Sequence, residues 1–352
     1  MSLKKLAIII TVLALTVTLF IGCKSASTTT VAETTQAATT TTTAAVSEVP
    51  KNKKGETVKM ASIEFLQFPC YQNRDKAAKK AAADYGIDRT VIGVTEVTVD
   101  AYVTTLTNAI NQGFDAITCE PWVTDAFKQP LKLAKDKGIP IFTVHVPFPD
   151  DSMFESWVGI DNDAYGKTAA KILNDKTGGK ANILFMMTNP DVANQATIKK
   201  SFEAALPPDM KIVDTEFTEA DAVKASEKLS AAFRTYKDIN VVMFVESGGV
   251  TVAAKVAKDM KLLDKLTILG VDDPPDEIEA IKNGEIWGSM NQNFQKQGYE
   301  SVRNIADYFL GNPFPKKTDA GIVLITKENV DTYLDDMWKP IAIKGTPYPN
   351  LK

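Results

Sequence analysis

Aromatic, amide and carboxylate side chains recur in six loops of this chain, and each loop directly follows an apolar, strand-like run. The loops span residues 66–73, 120–122, 145–148, 188–191, 246–249 and 272–274. Aromatic rings can stack on the apolar faces of a sugar ring, while amides and carboxylates form hydrogen bonds with its hydroxyls. The mixture of residue types therefore predicts a site for a polyhydroxylated small molecule.

Other kinds of chemistry are not indicated by the residues. One histidine and three cysteines in the whole chain argue against a metal site built from imidazole and thiolate ligands. No nucleophile–base pair or phosphate-binding loop occurs at usable spacing, so we expect neither enzymatic activity nor a cofactor. A net charge of −4 argues against nucleic acid as a partner.

The elements that must position the six loops alternate between strands and helices. Strands are predicted over residues 58–65, 90–98, 114–119 and 139–144, and again over 181–186, 211–216, 241–245 and 266–271. Between them lie helical patterns, which in the first half end at Gly86, Gly113 and Gly138. In the second half the helices are predicted near 163–175, 191–205, 222–236 and 249–260. This alternation predicts parallel sheets in two similar α/β lobes, with ligand sites at the carboxyl ends of the strands.

The N-terminus has the features of a secretory signal. Lys4 and Lys5 precede an apolar run over residues 6–21, and Gly22 then precedes Cys23. The segment 20–23 resembles the lipobox of bacterial lipoproteins, in which the cysteine is acylated and becomes the new N-terminus, although Phe20 stands where leucine is usual. The alternative is an uncleaved signal anchor with an incidental cysteine.

Residues 24–56 carry few large apolar side chains and include a threonine-rich tract. Such a segment buries too little apolar surface to offset the entropy of ordering it, so we predict a disordered tether between signal and body. The two cysteines beyond the lipobox, Cys70 and Cys119, are an even number in an extracellular chain. A disulfide between them and a pair of free thiols both fit the sequence.

Five segments in order along the body carry a family resemblance: 117–126, 138–144, 158–166, 268–272 and 284–292. Over residues 57–325 the chain resembles the ribose-binding-protein-like sugar-binding proteins of bacterial ABC importers, the type I periplasmic-binding family. The resemblance implies two Rossmann-like lobes joined by a three-strand hinge, which close on a ligand and then dock on a membrane permease. The implied N-terminal lobe comprises residues 57–160 plus 290–325, and the C-terminal lobe comprises 161–289 plus 326–345. The hinge strands are then expected near 161–162, 289–292 and 325–326.

The resemblance also assigns roles to single residues. Asp272 falls on the family's cleft aspartate, which accepts sugar hydroxyls, and Gln292 falls on a hinge amide, with Asn291 and Asn293 as alternatives in register. Phe68 and Tyr71 fall where the family has stacking aromatics. The full predicted ligand set is Phe68, Tyr71, Glu120, Trp122, His145, Asn194, Glu246, Asp272 and Gln292.

Two positions depart from the family pattern. His145 and Val146 stand where the family usually has Asp-Arg, and residues 191–200 contain Asn194 and Gln195 but no arginine. Because arginine forks are the family's usual clamps on sugar oxygens, the identity of the sugar stays open. Simpler structural interpretations also stay open: a buried structural role for His145, a solvated rim for Glu120 and Glu246, and core packing for Trp122 and for Trp157.

Taken together, these features predict an extracytoplasmic lipoprotein, anchored to the cell membrane through Cys23, that binds a small sugar or polyol as a monomer and feeds an ABC importer. The alternative is a sensor that presents a sugar or furanose-like signal to a chemoreceptor or membrane kinase. A sugar-responsive repressor shares the lobes but is excluded, because the chain opens with a signal rather than a basic helix-turn-helix.

Overall fold

A computed structural model describes residues 48–334, and within that range the chain alternates strands with helices. The strands are β1 (Lys59–Glu64), β2 (Asp88–Gly93), β3 (Ala116–Cys119), β4 (Ile141–His145), β5 (Ser156–Gly159), β6 (Ala181–Met187), β7 (Met210–Phe217), β8 (Val241–Phe244), β9 (Thr267–Val271), β10 (Gly288–Asn291), β11 (Lys317–Asp319) and β12 (Val323–Thr326). The helices are α1 (Pro69–Tyr85), α2 (Val99–Gln112), α3 (Thr124–Asp136), α4 (Asn162–Thr177), α5 (Ala193–Ala205), α6 (Ala222–Thr235), α7 (Val250–Asp259), α8 (Pro275–Asn283) and α9 (Phe294–Leu310).

The strands form two six-stranded sheets, and each sheet is the centre of one lobe. The first sheet has the order β11-β5-β4-β3-β1-β2, and every pair in it is parallel. The second has the order β12-β10-β9-β8-β6-β7, and only its β10–β12 pair is antiparallel. The predicted fold class, two α/β lobes with parallel-dominated sheets, is therefore confirmed.

Helices cover both faces of each sheet. In the first lobe, α2 and α3 pack on one face around Leu106 and Phe127, while α1 and α9 pack on the other around Ala81 and Val302. In the second lobe, α6, α7 and α8 share one core, and α4 and α5 share the other. Burial on both faces explains why the strands read as continuous apolar runs.

The chain crosses between the lobes three times: after β5, after β10 and between β11 and β12. Two of the predicted boundaries are shifted. Ser289 and Met290 belong to the second sheet, and so does all of β12, because β10 and β12 pair antiparallel with Gly288 opposite Thr326. The second crossing therefore lies at 292–293, and the third lies at 320–322 rather than at 325–326.

Two local predictions are also corrected. The second strand ends at Gly93 rather than near residue 98, because the Thr98 side chain accepts a hydrogen bond from the Ala101 amide and begins α2. The predicted tether extends too far, since Pro50 is buried and Lys51 pairs with Thr57.

Several sequence predictions fall outside the described residues. The signal, Cys23, most of the tether and residues 335–345 of the predicted C-terminal lobe lie there. Among residues 48–334, no helix is long and apolar enough to cross a membrane.

Candidate functional site

The carboxyl ends of the strands from both sheets surround one cavity of about 370 Å³ between the lobes. All nine residues of the predicted ligand set line it: Phe68, Tyr71, Glu120, Trp122, His145, Asn194, Glu246, Asp272 and Gln292. Cys70, Gln195 and Ser247 line it as well, whereas Asn291, Asn293 and Trp157 do not. The fold thus brings together residues that are more than 220 positions apart in the chain.

Aromatic rings form the first-lobe wall. Tyr71 lies 5.9 Å from Phe68 and 5.4 Å from Phe294, measured between ring centroids. Phe68 is 38% exposed, which leaves its ring accessible from the cavity. Trp122 lines the cavity but also packs edge-on against Tyr102 at 4.8 Å, so it has both of the roles that the sequence left open.

Glu120 accepts hydrogen bonds from three side chains. Tyr71 Oη donates to Oε1 at 3.1 Å, His145 Nδ1 lies 2.8 Å from the same oxygen, and an Arg74 terminal nitrogen donates to Oε2 at 3.2 Å. Burial favours the neutral acid, but His145 and Arg74 outweigh that effect and hold the pKa of Glu120 below its ordinary value. Only 4% of Glu120 is exposed, so the solvated-rim interpretation does not hold for this residue.

His145 is the last residue of β4 and lies in the left-handed region, with φ 62. Its carbonyl accepts a hydrogen bond from Trp157 Nε1 at 3.3 Å, and a side chain at Gly159 would collide with it. Burial opposes the imidazolium, but the Glu120 carboxylate raises the pKa of His145 above its ordinary value. The carboxylate therefore favours the imidazolium form, in which both ring nitrogens are donors.

Gln292 connects the two lobes at the second crossing. Its Oε1 lies 3.1 Å from His145 Nε2, and its Nε2 donates to Asp272 Oδ1 at 2.9 Å. The amide can accept from His145 and donate to Asp272 at once only when Nε2 of the histidine carries a proton. Nδ1 faces Glu120, whose pKa is lowered, so both ring nitrogens face acceptors, an arrangement that the imidazolium form of His145 satisfies.

Asp272 follows β9 and also lies in the left-handed region, with φ 69. Ser289 Oγ donates to its backbone carbonyl at 2.7 Å, which fixes the turn. Burial raises the pKa of Asp272 to about 6, with partial compensation from the Gln292 hydrogen bond and the charge of His145. Asp272 is therefore mainly ionised at pH 7 and can accept ligand hydroxyls.

The second-lobe wall presents another carboxylate, Glu246, at the end of β8. Thr188 Oγ1 donates to its Oε2 at 2.6 Å, and Thr218 Oγ1 donates to its Oε1. Gln195 holds Thr188 in turn, since its Nε2 donates to Thr188 Oγ1 at 3.0 Å and its Oε1 accepts from the Thr188 amide. These bonds orient Glu246 at the cavity edge.

Six residues of the site were missing from the predicted set. Three of them line the cavity, namely Phe65, Thr188 and Phe294. The other three lie behind the lining, namely Glu64, Arg74 and Thr218. A signal for Arg74 exists in the sequence, because it shares the buried helical stripe of Ala77, Ala78 and Ala81. A charged residue on an apolar face usually has a buried partner of opposite charge.

Neither a disulfide nor a metal-binding cluster occurs among the described residues. Cys70 and Cys119 are both buried and free. In residues 48–334, no group of three or more histidine, cysteine or acidic side chains is placed to hold a metal ion.

A cleft between two α/β lobes, lined by aromatic and hydrogen-bonding side chains from both, defines a two-lobed binding protein. The family model described as periplasmic binding protein domain matches residues 65–313. The chain belongs to the periplasmic binding protein family, and its fold is that of the type I class.

Two named proteins are similar to this chain in sequence, and one solved structure is similar to it in fold and sequence. The chain is 28% identical to the xylitol-binding protein of Mycolicibacterium smegmatis over 64% of this chain and 65% of that protein. It is 22% identical to the ribose import binding protein of Bacillus subtilis over 79% of this chain and 89% of that protein. Among solved structures, the glucose-galactose binding protein GanP from Geobacillus stearothermophilus superposes with a TM-score of 0.72 at 26% identity, covering 78% of this chain and 99% of that one.

Proposed function

We propose that this protein captures a small neutral sugar or polyol between its lobes outside the cytoplasmic membrane and delivers it to the permease of an ABC importer. We further propose that it acts as a monomer, held at the membrane by an acylated Cys23. An acyl anchor with a flexible spacer keeps a binding protein at high effective concentration near its transporter.

The composition of the cavity wall carries the proposal. Three carboxylates, of Glu120, Glu246 and Asp272, face one imidazole, that of His145, whose pKa is raised. Among the described residues that line the cavity, none is lysine or arginine. Such a wall is rich in acceptors and therefore fits a ligand that offers many hydroxyl donors.

The same wall excludes anionic ligands. A sugar acid or sugar phosphate would bring a further negative charge next to three carboxylates, without the arginine fork that usually binds such groups. The aromatic wall of Phe68 and Tyr71 supplies a face for stacking on the carbon side of a ring or an extended polyol. The relatives named for xylitol and ribose support this ligand class.

A binding screen tests the proposal. Thermal unfolding and calorimetry would be followed with D-xylose, xylitol, D-ribose, L-arabinose and D-galactose, and in parallel with D-xylonate and ribose 5-phosphate. A neutral ligand at 100 times its Kd should add about 2.7 kcal/mol of stability. Tighter binding of an acid or phosphate than of its neutral parent would contradict the proposal.

Import is favoured over the sensory alternative. The family is that of periplasmic binding proteins, and a relative that matches over 89% of its own length is named for ribose import. Uptake of the radiolabelled ligand by cells that lack this protein should therefore fall, and unchanged uptake would argue for a sensor.

Replacement Cys23→Ser should release the protein from the membrane fraction, because this thiol is the only acyl acceptor that the signal offers. The measurement is the partition of the protein between membrane and soluble fractions of cells. Cys70→Ser is the matched control, since it makes the same chemical change in the folded body and should leave the partition unchanged. A Cys23→Ser protein that stays with membranes would indicate an uncleaved anchor instead.

A further inference from the structure

The buried ion pair of Glu64 and Arg74 lies behind the cavity and does not form part of its lining. Arg74 is 1% exposed, and its Nε and one terminal nitrogen donate to a single oxygen of Glu64 at 3.0 and 2.7 Å. The remaining terminal nitrogen donates to Glu120 at 3.2 Å. Neither Glu64 nor Arg74 lines the cavity, so neither is placed to contact the ligand.

We propose that the Glu64–Arg74 pair is a positioning device for the ligand site: it fixes the carboxylate of Glu120 and keeps the shared proton on His145. The inference rests on the proposed function, since Glu120 and His145 are the acceptor and donor that the first lobe offers to a sugar. Glu64 and Arg74 are positioning residues, because they act through Glu120.

The need for such a device follows from the chemistry of Glu120 and His145. A carboxylate and an imidazole in contact and away from water can become a neutral acid and a neutral imidazole by transfer of one proton. The transferred proton is the one on Nδ1, so Nε2 would keep its N–H toward Gln292, but the site would lose the charged donor at His145 and the charged acceptor at Glu120. A fixed guanidinium charge on the far side of Glu120 favours the ionised form of the pair.

The geometry at Arg74 requires a guanidinium. Three nitrogens of one planar group bind two carboxylates, that of Glu64 in β1 and that of Glu120 in the loop after β3. The ring of Tyr71 lies 4.3 Å from the guanidinium carbon, which keeps the plane in place. A lysine offers one point charge and cannot bind both carboxylates in fixed directions.

The other groups near Glu120 do not substitute for Arg74. Tyr102 Oη donates to the backbone amide of Glu120 and not to its carboxylate. Arg89 lies 4.0 Å from Glu64 and binds Ser62 and Asp75 instead. Tyr71 and His145 complete the set of polar side chains that contact the Glu120 carboxylate in the described structure.

The test uses His145, which is the only histidine in the chain. In the full-length protein, nitrogen chemical shifts of this imidazole would be followed against pH by NMR. The test variant is the double substitution Glu64→Gln with Arg74→Gln, which removes one charge of each sign and leaves no unpaired buried Glu64. The matched control is Asp75→Asn, which breaks the Arg89 ion pair without touching Glu120.

If the pair positions Glu120, the pKa of His145 in the double variant should fall by about one pH unit or more. If Glu64 and Arg74 had only a structural role, the pKa of His145 should rise in the double variant, because the positive charge of Arg74 lowers that pKa in the parent. An unchanged or raised pKa in a folded double variant would therefore overturn the proposal. Asp75→Asn should behave as the parent does.

A further variant, Arg74→Lys, keeps the charge but not the fork of the guanidinium. We expect it to lower the pKa of His145 by less than the double substitution does. Full retention of the parent pKa would contradict the argument from guanidinium geometry.

A second arm separates this inference from the proposed function. Calorimetry with D-xylose, xylitol and D-ribose should show about tenfold weaker binding to the double variant, at a thermal midpoint close to that of the parent. Binding within twofold of the parent would overturn the proposal. If no sugar binds the parent but the pKa of His145 falls as expected, the proposed ligand class fails while the positioning role stands.

Discussion

Replacing Asp272 with asparagine should weaken ligand binding at least about tenfold, because hydrogen bonds to a charged acceptor contribute about 1.5–3 kcal/mol each. Gln292 occupies Oδ1 of Asp272, so Oδ2 remains as an acceptor for the ligand. Asparagine is the suitable replacement because it tolerates the left-handed backbone of this position, whereas alanine would add strain that is unrelated to binding. Calorimetry with the ligand identified by the screen measures the effect.

Asp276→Asn is the matched control for that substitution. Asp276 is exposed in the first turn of α8, four residues further along, and does not line the cavity. Its replacement should leave the affinity unchanged. Binding by Asp272→Asn within twofold of the parent would show that the ligand does not depend on the second-lobe carboxylate.

The same substitution should have the opposite effect on stability. Asp272 has a pKa of about 6 in the folded protein, against an ordinary value of 3.8, so the folded state binds more protons between these values. The contribution of Asp272 to stability therefore falls as pH rises through this window, by at most about 3 kcal/mol. Near pH 7.5 the ligand-free Asp272→Asn protein should melt higher than the parent, and the difference should vanish near pH 4.

Binding should also have a lower pH limit. Asp272 is the stronger acceptor for hydroxyl donors when it is ionised, so affinity should be highest above pH 6 and decline as pH falls through that value. In the Asp272→Asn protein this decline should disappear. An equally steep decline in the variant would assign the acid limit to another group.

The second large effect is expected from Glu120→Gln. The substitution removes the charge that raises the pKa of His145 and leaves Arg74 with one carboxylate partner instead of two. We expect about tenfold weaker binding or more, because the ligand loses a charged acceptor at Glu120 and a neutral His145 has one N–H donor instead of two.

The lone histidine gives a direct readout of this second prediction. In Glu120→Gln the pKa of His145 should fall below its ordinary value, because burial then acts without the opposing carboxylate. Glu246→Gln is the control, since Glu246 belongs to the second-lobe wall and bonds to threonines rather than to His145. A histidine pKa that moves equally in both variants would contradict the described contacts.

The amino-acid sequence determined the fold class and the location of the site. Strand and helix patterns are local, because each depends on side-chain periodicity over about ten residues, and their alternation leaves few topologies. Ligand sites of parallel sheets lie at the carboxyl ends of strands, and this rule together with the family resemblance placed nine residues around one cavity.

The same local logic failed where an element's end is set by a partner that is distant in the chain. The third crossing was expected at 325–326, but β12 pairs antiparallel with β10 and draws those residues into the second sheet. The tether was predicted to reach residue 56, yet Asn52 bonds to Asp115, 63 positions away. Pairing with distant segments leaves no periodic signal in a single sequence.

Tertiary structure alone decided the electrostatics of the site. His145 bonds to Gln292, 147 positions away, and Arg74 joins Glu64 of β1 to Glu120 of the loop after β3. Neither the charge state of His145 nor the raised pKa of Asp272 follows from residue type, because both depend on burial and on neighbours that only the folded chain supplies. Residue types and their order thus predicted which groups meet, whereas their protonation and orientation depend on distances of about 3 Å that packing sets.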